Sequence, residues 1–463
     1  MTPEPEKYDA IVIGAGQSGG PLSRTLASSG MKTALIEREH VGGTCINTGC
    51  TPTKTMVASA RIAYLASRAQ DYGINIGDVS VDLKKVRQRK RDIVESWRNS
   101  GQKKIEGTDG VDLIFGEAKF VDPKKISIRL DKGTLRELTA EKIFINTGAR
   151  PVIPTLPGLD SVPFLNSTSI MELAEVPEHL LVLGGGYIGL EFGQMFRRFG
   201  SEITIIQRRG QLLTREDEDI ATEIQNILEA EGIEVLLNCE ALSIEETSGI
   251  SLKIKVQQLE RKINGTHILV AVGRRPDSDR LNLAAAGIKT DQRGFIKVNE
   301  KLETSVPGIY AMGDVKGGPA FTHISYDDYR IIKSNLLEDG NRTTDDRLVP
   351  YVVFIDPQLG RVGLSEEEAR GKGYNIKIAK MPMSYVARAI EIEETRGTIK
   401  LIVDGDNEQI LGCAVLGIEG GELMAILQMA MIGEIPFAKI RDGIFAHPTL
   451  AESLNNLFKS IEN

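Results

Sequence analysis

Cysteine is scarce, at four in 463 residues. That is far too few for the disulfide framework of a small secreted protein. An excess of basic residues is also missing: 56 Lys and Arg stand against 64 Asp and Glu, a formal net charge of −8. With no basic arm at the N-terminus, a nucleic-acid partner is not expected. No apolar run reaches the roughly 18 residues of a membrane span; the best stretch, Leu423 to Gly433, is too short and contains Gln428. The opening MTPEPEKYDA lacks the basic-then-apolar order of a signal peptide. A soluble, cytoplasmic protein without a membrane partner is the expectation. Aromatics make up only 5%, whereas glycine reaches 47 residues. That balance favours tight turns and close backbone approaches, as in α/β nucleotide-binding folds, over a β-sandwich. At roughly 150 residues per domain the length suggests about three domains.

Two segments repeat one pattern. Tyr8 to Ile13 (YDAIVI) reads as a strand and runs into Gly14-Ala15-Gly16-Gln17-Ser18-Gly19. A helix-compatible stretch follows, then a second strand, Lys32 to Glu37, ending in an acid. This is the strand–GxGxxG–helix–strand–acid order of a dinucleotide site. The helix N-terminus offers N–H groups to a pyrophosphate, and Glu37 is placed to accept from a ribose diol. His179 to Leu183 leads likewise into Gly184-Gly185-Gly186-Tyr187-Ile188-Gly189 and on to the strand Glu202 to Ile206. One such fingerprint is a weak signal, but two in βαβ context predict two dinucleotide sites.

The runs Lys142 to Thr147 and His267 to Val272 end in the glycine turns TGARP and GRRP, where the chain is expected to leave and re-enter the first domain. Thr304 to Asp314 (TSVPGIYAMGD) reads as a strand ending in Gly313-Asp314. After Asp346 the strands PYVVFI, TIKLIVDG and ILGCAVLG carry no fingerprint, and GELMAILQMAMIG is a Met-rich helix suited to core packing, to a subunit interface, or to both.

Cys239 and Cys413, in LLNC and LGCAVL, read as buried strand residues. Cys45 and Cys50 differ: they lie close together in GGTCINTGCTPTK, in a small loop that could open and close without large backbone motion. No second Cys/His pair stands near at ligand spacing, so no metal site is expected. Two nucleotides and a Cys pair suggest electron flow from one nucleotide to the other and on to sulfur. One of them must accept a hydride and then reduce a disulfide, which a flavin can do and a second nicotinamide cannot.

GGTCINTGCTPTK resembles the redox segment of the flavoprotein disulfide reductases, the family of dihydrolipoyl dehydrogenase, glutathione reductase and mercuric reductase. TGARP, GGGYIG, GRRP, TSVPGIYAMGD and the terminal HPTLAE extend the resemblance over essentially the whole chain. It implies an α/β fold with two Rossmann-like domains and a C-terminal α+β dimerisation domain. An FAD domain of residues 1–150 and 271–345 would enclose an NAD(P) domain of residues 151–270, with the interface domain at residues 346–463. Cys50 would be the thiol that contacts the flavin and forms a charge-transfer complex, and Cys45 the interchange thiol that attacks substrate. Lys54 would lie near the flavin N5, paired with Glu191, where a cation favours the anionic reduced flavin. Asp314 would bond the ribityl chain, Glu37 the adenosine ribose, and Tyr187 would be the lid of the nicotinamide pocket. Gly14, Gly16, Gly19, Gly43, Thr44, Thr147, Gly148, Gly184, Gly186, Gly189 and Gly273 complete the expected cofactor-binding set. His447 would be the acid–base group oriented by Glu452, supplied by the partner subunit of a homodimer. Such a group exchanges a proton with the interchange thiol near neutral pH.

Members that use NAD place an acid where Gln207 stands. Here Gln207 is followed by Arg208 and Arg209, with Arg215 close behind. Guanidinium groups pair with a 2′-phosphate that an acid would repel, so NADPH is expected, with NADH as a slower donor. For the small-molecule acceptor, FTHISYDDYRII and HPTLAESLNNLF resemble the mercuric-reductase-like and reactive-chlorine-resistance flavoproteins, relatives of which reduce hypothiocyanous acid or metal ions. A C-terminal FKSIEN without vicinal cysteines, a start directly at the first fingerprint, and His447 where mercuric reductases carry Tyr argue against dedicated mercury detoxification. The alternative is an NAD-linked dihydrolipoyl dehydrogenase of the 2-oxoacid dehydrogenase complexes, against which Gln207 and the arginines weigh.

Overall fold

The computed structural model describes residues 4–130, 133–345 and 347–461. Asp346, the expected start of the third domain, and the last two residues of FKSIEN lie outside them. The chain divides into two compact units. One holds the chain up to Thr55, then Arg87–Val152 and Gly273–Arg347; the other holds Met56–Val86, Ile153–Val272 and the chain from Leu348. Met56–Val86 belongs to the second unit because Met56, Ala60 and Leu83 are buried in one core with Leu180, Phe196 and Ile224.

In the first unit, five parallel strands run in the order Ile309–Ala311, Lys142–Ile145, Ala10–Ile13, Thr33–Glu37 and Val111–Phe115. Ala10–Ile13 is buried throughout, as the central strand of a doubly covered sheet must be. The helices Gly19–Ser28 and Thr322–Leu337 bury Leu22, Leu26, Ile331 and Ile332 in one cluster with Val12, Leu35 and Phe144. Of the expected strand Thr304 to Asp314, only Ile309–Ala311 forms. The Pro307-Gly308 turn (Gly308 φ +76°) interrupts it, and Gly313–Lys316 closes as a 3₁₀ turn. The turns TGARP and GRRP meet as an antiparallel pair, with Ala149 opposite Pro276 and Pro151 opposite Arg274. A second sheet, Glu117–Asp122 with Lys125–Arg129 and Leu135–Thr139, carried no signal beyond short mixed runs.

In the second unit, His179–Leu183 is the inner strand of a parallel sheet with Glu202–Ile206 and His267–Val270. A separate three-stranded meander spans Cys239–Glu246, Ile250–Val256 and Leu259–Gly265. Five antiparallel strands follow in the order Tyr351–Val353, Gln358–Gly363, Ile410–Gly417, Thr398–Asp404 and Ile376–Pro382. The helix Gly420–Ile432 buries Leu423, Met424, Leu427 and Ala430, while Met429 is 63% and Ile432 57% exposed. That helix therefore serves the core with one face and keeps an apolar face outward. Cys239 and Cys413 are buried strand residues, as expected. No helix among the described residues is long and apolar enough to cross a membrane.

Candidate functional site

Both glycine turns are built alike. Gly14 (φ +100°) and Gly184 (φ +118°) occupy backbone space closed to other residues, and a Cβ on Gly19 or Gly189 would stand 2.0 Å from the carbonyl oxygen of Gly14 or Gly184. Each helix therefore packs directly on its strand, with its N-terminus beside the turn. In the first turn, the Ala15 N–H donates to Glu37 Oε2 at 2.8 Å. The acid that ends the second strand thus lies at the turn.

Asn146, which the sequence reading passed over inside KIFINT, joins the pieces of this cradle. Its Oδ1 accepts from Gly19 N–H and its Nδ2 donates to Met312 O, both at 3.0 Å. The first fingerprint and the Gly313-Asp314 turn are thereby held together across the sheet edge. Asp328, fully buried in the helix Thr322–Leu337, accepts from Gly313 N–H at 2.7 Å and pairs with Lys316 and Arg347. Burial holds the Asp314 carboxyl above its ordinary range, against the pull of Arg274 and Lys316. Asn146→Ala leaves a buried donor and a buried acceptor unpaired, at about 1–3 kcal/mol each. The expected outcome is a melting temperature lower by several degrees together with weaker FAD retention, read by thermal denaturation and by flavin absorbance after gel filtration.

The Cys segment starts against the same turn. Gly42 N–H donates to Ala15 O at 2.8 Å, and a Cβ on Gly43 would come within 2.9 Å of Gly16 Cα. Gly43, Thr44 and Cys45 form the short helix Gly43–Asn47, and Cys50 begins the long helix Cys50–Ser67. Cys50 Sγ lies 3.3 Å from the hydroxyl of Thr322, at the start of another helix. The Cys45 thiol is pushed far up, first by its hydrogen bond with Cys50, then by burial and by the Cys50 charge; Thr322 and Lys54 act the other way. Of the two, Cys45 is therefore the one that holds its proton, while Cys50 stands at a helix N-terminus, which favours a thiolate. Thr322 lies in FTHISYDDYRII, where no spacing marks it; only the fold brings it to Cys50.

Fit to an FAD can be judged from the cradle. Thr147 Oγ1 is a buried hydroxyl without a hydrogen-bond partner, at the edge of the first turn. Gly148 (φ +72°) has open space where a side chain would stand. A polar group facing an open glycine edge suits a bound nucleotide, so the residues fit the group. Gly273 (φ +127°) accepts from Val152 N–H at the paired crossover.

The second unit carries the remaining expected residues. Gly186 caps the helix Tyr187–Phe199, with open space at its Cα. Glu191 is buried on that helix and accepts from Phe354 N–H at 2.9 Å. Arg208, Arg209 and Arg215 are exposed on the loop after Glu202–Ile206. His447 is also exposed, and its Nδ1 lies 2.8 Å from Glu452 Oε2. That contact fixes the ring and leaves Nε2 for proton exchange.

Two glycine-turn nucleotide sheets, a helix-start dithiol and a five-stranded C-terminal sheet define an FAD- and NAD(P)-binding α/β oxidoreductase. Residues 8–328 match the pyridine nucleotide-disulphide oxidoreductase family and residues 349–458 its dimerisation domain. The chain belongs to that family, whose members use FAD and NAD(P)H, and its dimerisation domain indicates a homodimer. It is 40% identical over 460 residues to the probable pyridine nucleotide-disulfide oxidoreductase RclA of Escherichia coli (strain K12), covering 98% of this chain and 100% of that one. It is 35% identical over 448 residues to a mercuric reductase of Staphylococcus aureus, covering 96% of this chain and 81% of that one. A solved Cu(II) complex of the HOCl-induced flavoprotein disulfide reductase RclA from Escherichia coli matches with a TM-score of 0.90 at 39% identity, over 98% of this chain and 99% of that one. The protein is a flavoprotein disulfide reductase of the RclA and mercuric reductase branch.

Proposed function

We propose that the protein passes electrons from NADPH, by way of FAD and the Cys45–Cys50 dithiol, to a small oxidised-sulfur or soft-metal acceptor. The observation that carries this reading is the cysteine pair itself, with Cys50 at the start of a helix and the Cys45 thiol pushed up beside it. When bound, FAD supplies the link between a hydride donor and a disulfide. The chain's residues do the rest. The glycine turns and Glu37 bind and orient the nucleotides, and Cys50 keeps its thiolate at the helix start. Cys45 takes up the acceptor after giving its proton to His447, contributed across the homodimer and held by Glu452. Residues 1–150 with 271–345, 151–270 and 346–463 would be the FAD, nicotinamide and dimerisation domains. A Cu(II) complex of the RclA relative supports a metal ion among the acceptors.

The test is an anaerobic screen of NADPH consumption over lipoamide, glutathione disulfide, hypothiocyanous acid, quinones, Cu(II) and Hg(II). Fastest turnover with hypothiocyanous acid or Cu(II) is expected. Lipoamide as the fastest acceptor would return the chain to the dihydrolipoyl dehydrogenase reading.

The exposed arginines account for the choice of NADPH. A charge-assisted hydrogen bond is worth about 1.5–3 kcal/mol, so Arg208→Ala is expected to raise the Michaelis constant for NADPH about ten- to a hundredfold. The constant for NADH should move far less. Equal shifts with the two donors would remove Arg208 from the 2′-phosphate.

A further inference from the structure

The loop that carries Arg208, Arg209 and Arg215 is tied down inside the second unit. The Gln207 side chain donates to Gln211 O at 2.9 Å, and the Gln211 side chain donates to Glu216 O at 3.0 Å. Leu213, at a φ of +43°, donates its N–H to Gly185 O in the second glycine turn at 3.0 Å. The loop thus lies directly against the phosphate-binding turn. At its far end the Glu216 carboxylate points inward, and the residue is only 7% exposed.

Two residues of the C-terminal sheet receive it. The Tyr351 hydroxyl donates to Glu216 Oε1, and Arg361 Nε lies 3.5 Å from Oε2. Tyr351 and Arg361 are direct cross-strand partners, so both side chains leave the sheet on one face. Arg361 is itself buried, and its Nη1 is held by Cys413 O at 3.0 Å. The next acids continue the attachment: buried Lys400 meets Asp217 at 3.1 Å and Asp219 at 3.0 Å, and Asp217 accepts from Glu366 N–H at 3.1 Å. Burial raises the Glu216 carboxyl above its ordinary range, with Arg361 and Tyr351 opposing it. A buried, incompletely compensated carboxylate contributes little net stability, and what its contacts do is fix the placement of its neighbours.

We infer that Glu216, gripped by Tyr351 and Arg361, is a positioning residue for nicotinamide selectivity. It fixes the arginine loop against the glycine turn, at the place where a 2′-phosphate can be held. The inference rests on the reading above that these arginines take the 2′-phosphate. Its physical basis is preorganisation: guanidinium groups on a fixed loop lose less freedom when they close on a phosphate. Gly184 and Gly189 of the turn that receives the pyrophosphate pack on Ala271 and on each other, so loss of the anchor should leave NAD binding nearly unchanged.

Glu216→Gln and Tyr351→Phe in the holoenzyme test this, with calorimetric titration of NADP⁺ and NAD⁺ and with kinetics using ferricyanide as acceptor. The expected result is an NADP⁺ dissociation constant raised about three- to thirtyfold, the same rise in the NADPH Michaelis constant, and an unchanged kcat. The NAD⁺ constant should stay within about twofold, the spread taken for independent sites. Tyr351→Phe keeps both charges and the buried ring, and it carries the test should Glu216→Gln fail to fold. Equal weakening of the two nucleotides, or no change in either, overturns the inference. Arg208→Ala is measured in parallel. Selectivity lost there and kept in the anchor variants overturns the anchor alone. Selectivity lost in the anchor variants and kept in Arg208→Ala supports the anchor and moves the phosphate contact to its neighbours. Selectivity kept in all three overturns both readings.

Discussion

Replacing either cysteine of the Cys45–Cys50 pair is expected to stop disulfide turnover, with losses on the order of 10³- to 10⁶-fold, as for catalytic groups that act as a unit. Exchange requires a thiolate to attack sulfur and a second thiol to close the disulfide, and a serine oxygen can do neither. The double variant should therefore be no slower than each single one. Absorbance separates the two roles. Cys50 begins the helix Cys50–Ser67 beside Thr322, and the raised Cys45 thiol keeps its proton in the hydrogen bond to Cys50. Cys45→Ser should keep the long-wavelength absorbance of a thiolate next to oxidised flavin, and Cys50→Ser should lose it. The opposite pattern would exchange the roles of the two sulfurs.

The next largest effect belongs to His447, and its size should depend on the acceptor. With lipoamide or glutathione disulfide the leaving group is a thiolate, which needs a proton. There His447→Ala is expected to cost about 10² to 10⁴ in rate, the range of acid–base groups. With hypothiocyanous acid, Cys45 forms a sulfenyl thiocyanate and releases water. Cys50 then displaces thiocyanate, restoring the Cys45–Cys50 disulfide for reduction by NADPH. The departing hydroxide takes the one proton given up by Cys45, and thiocyanate then leaves without one, so one leaving group rather than two needs a proton and the same variant should lose less. The 2.8 Å contact between Glu452 and Nδ1 leaves Nε2 for this duty. Parallel rate measurements with the three acceptors check it, and equal losses would place His447 elsewhere in the cycle.

Legibility followed the range of the interactions. The glycine turns could be read because they are local: a Cβ at Gly19 or Gly189 meets a backbone oxygen five residues away, so the spacing is itself the constraint. The strands His179–Leu183 and Ile410–Gly417 were equally plain, since full burial on both faces requires unbroken apolar runs. The Met-rich helix was legible as a helix, and its core-packing reading holds in Leu423, Met424, Leu427 and Ala430. Thr304 to Asp314 was read as too long a strand because apolar character does not show where Pro307-Gly308 turns the chain.

The sequence by itself determined the fold class, the two nucleotide turns, the positions of the redox cysteines and the family, all from patterns a few residues wide. The tertiary structure decided what surrounds them. Asn146 meets Gly19 across 127 positions and Thr322 meets Cys50 across 272; Glu216 reaches Tyr351 across 135. A single polar residue that finds its partner only after two distant strands or helices are packed together leaves no periodicity in the chain. Its role exists only once folding has removed both groups from water and left each as the other's hydrogen-bond partner.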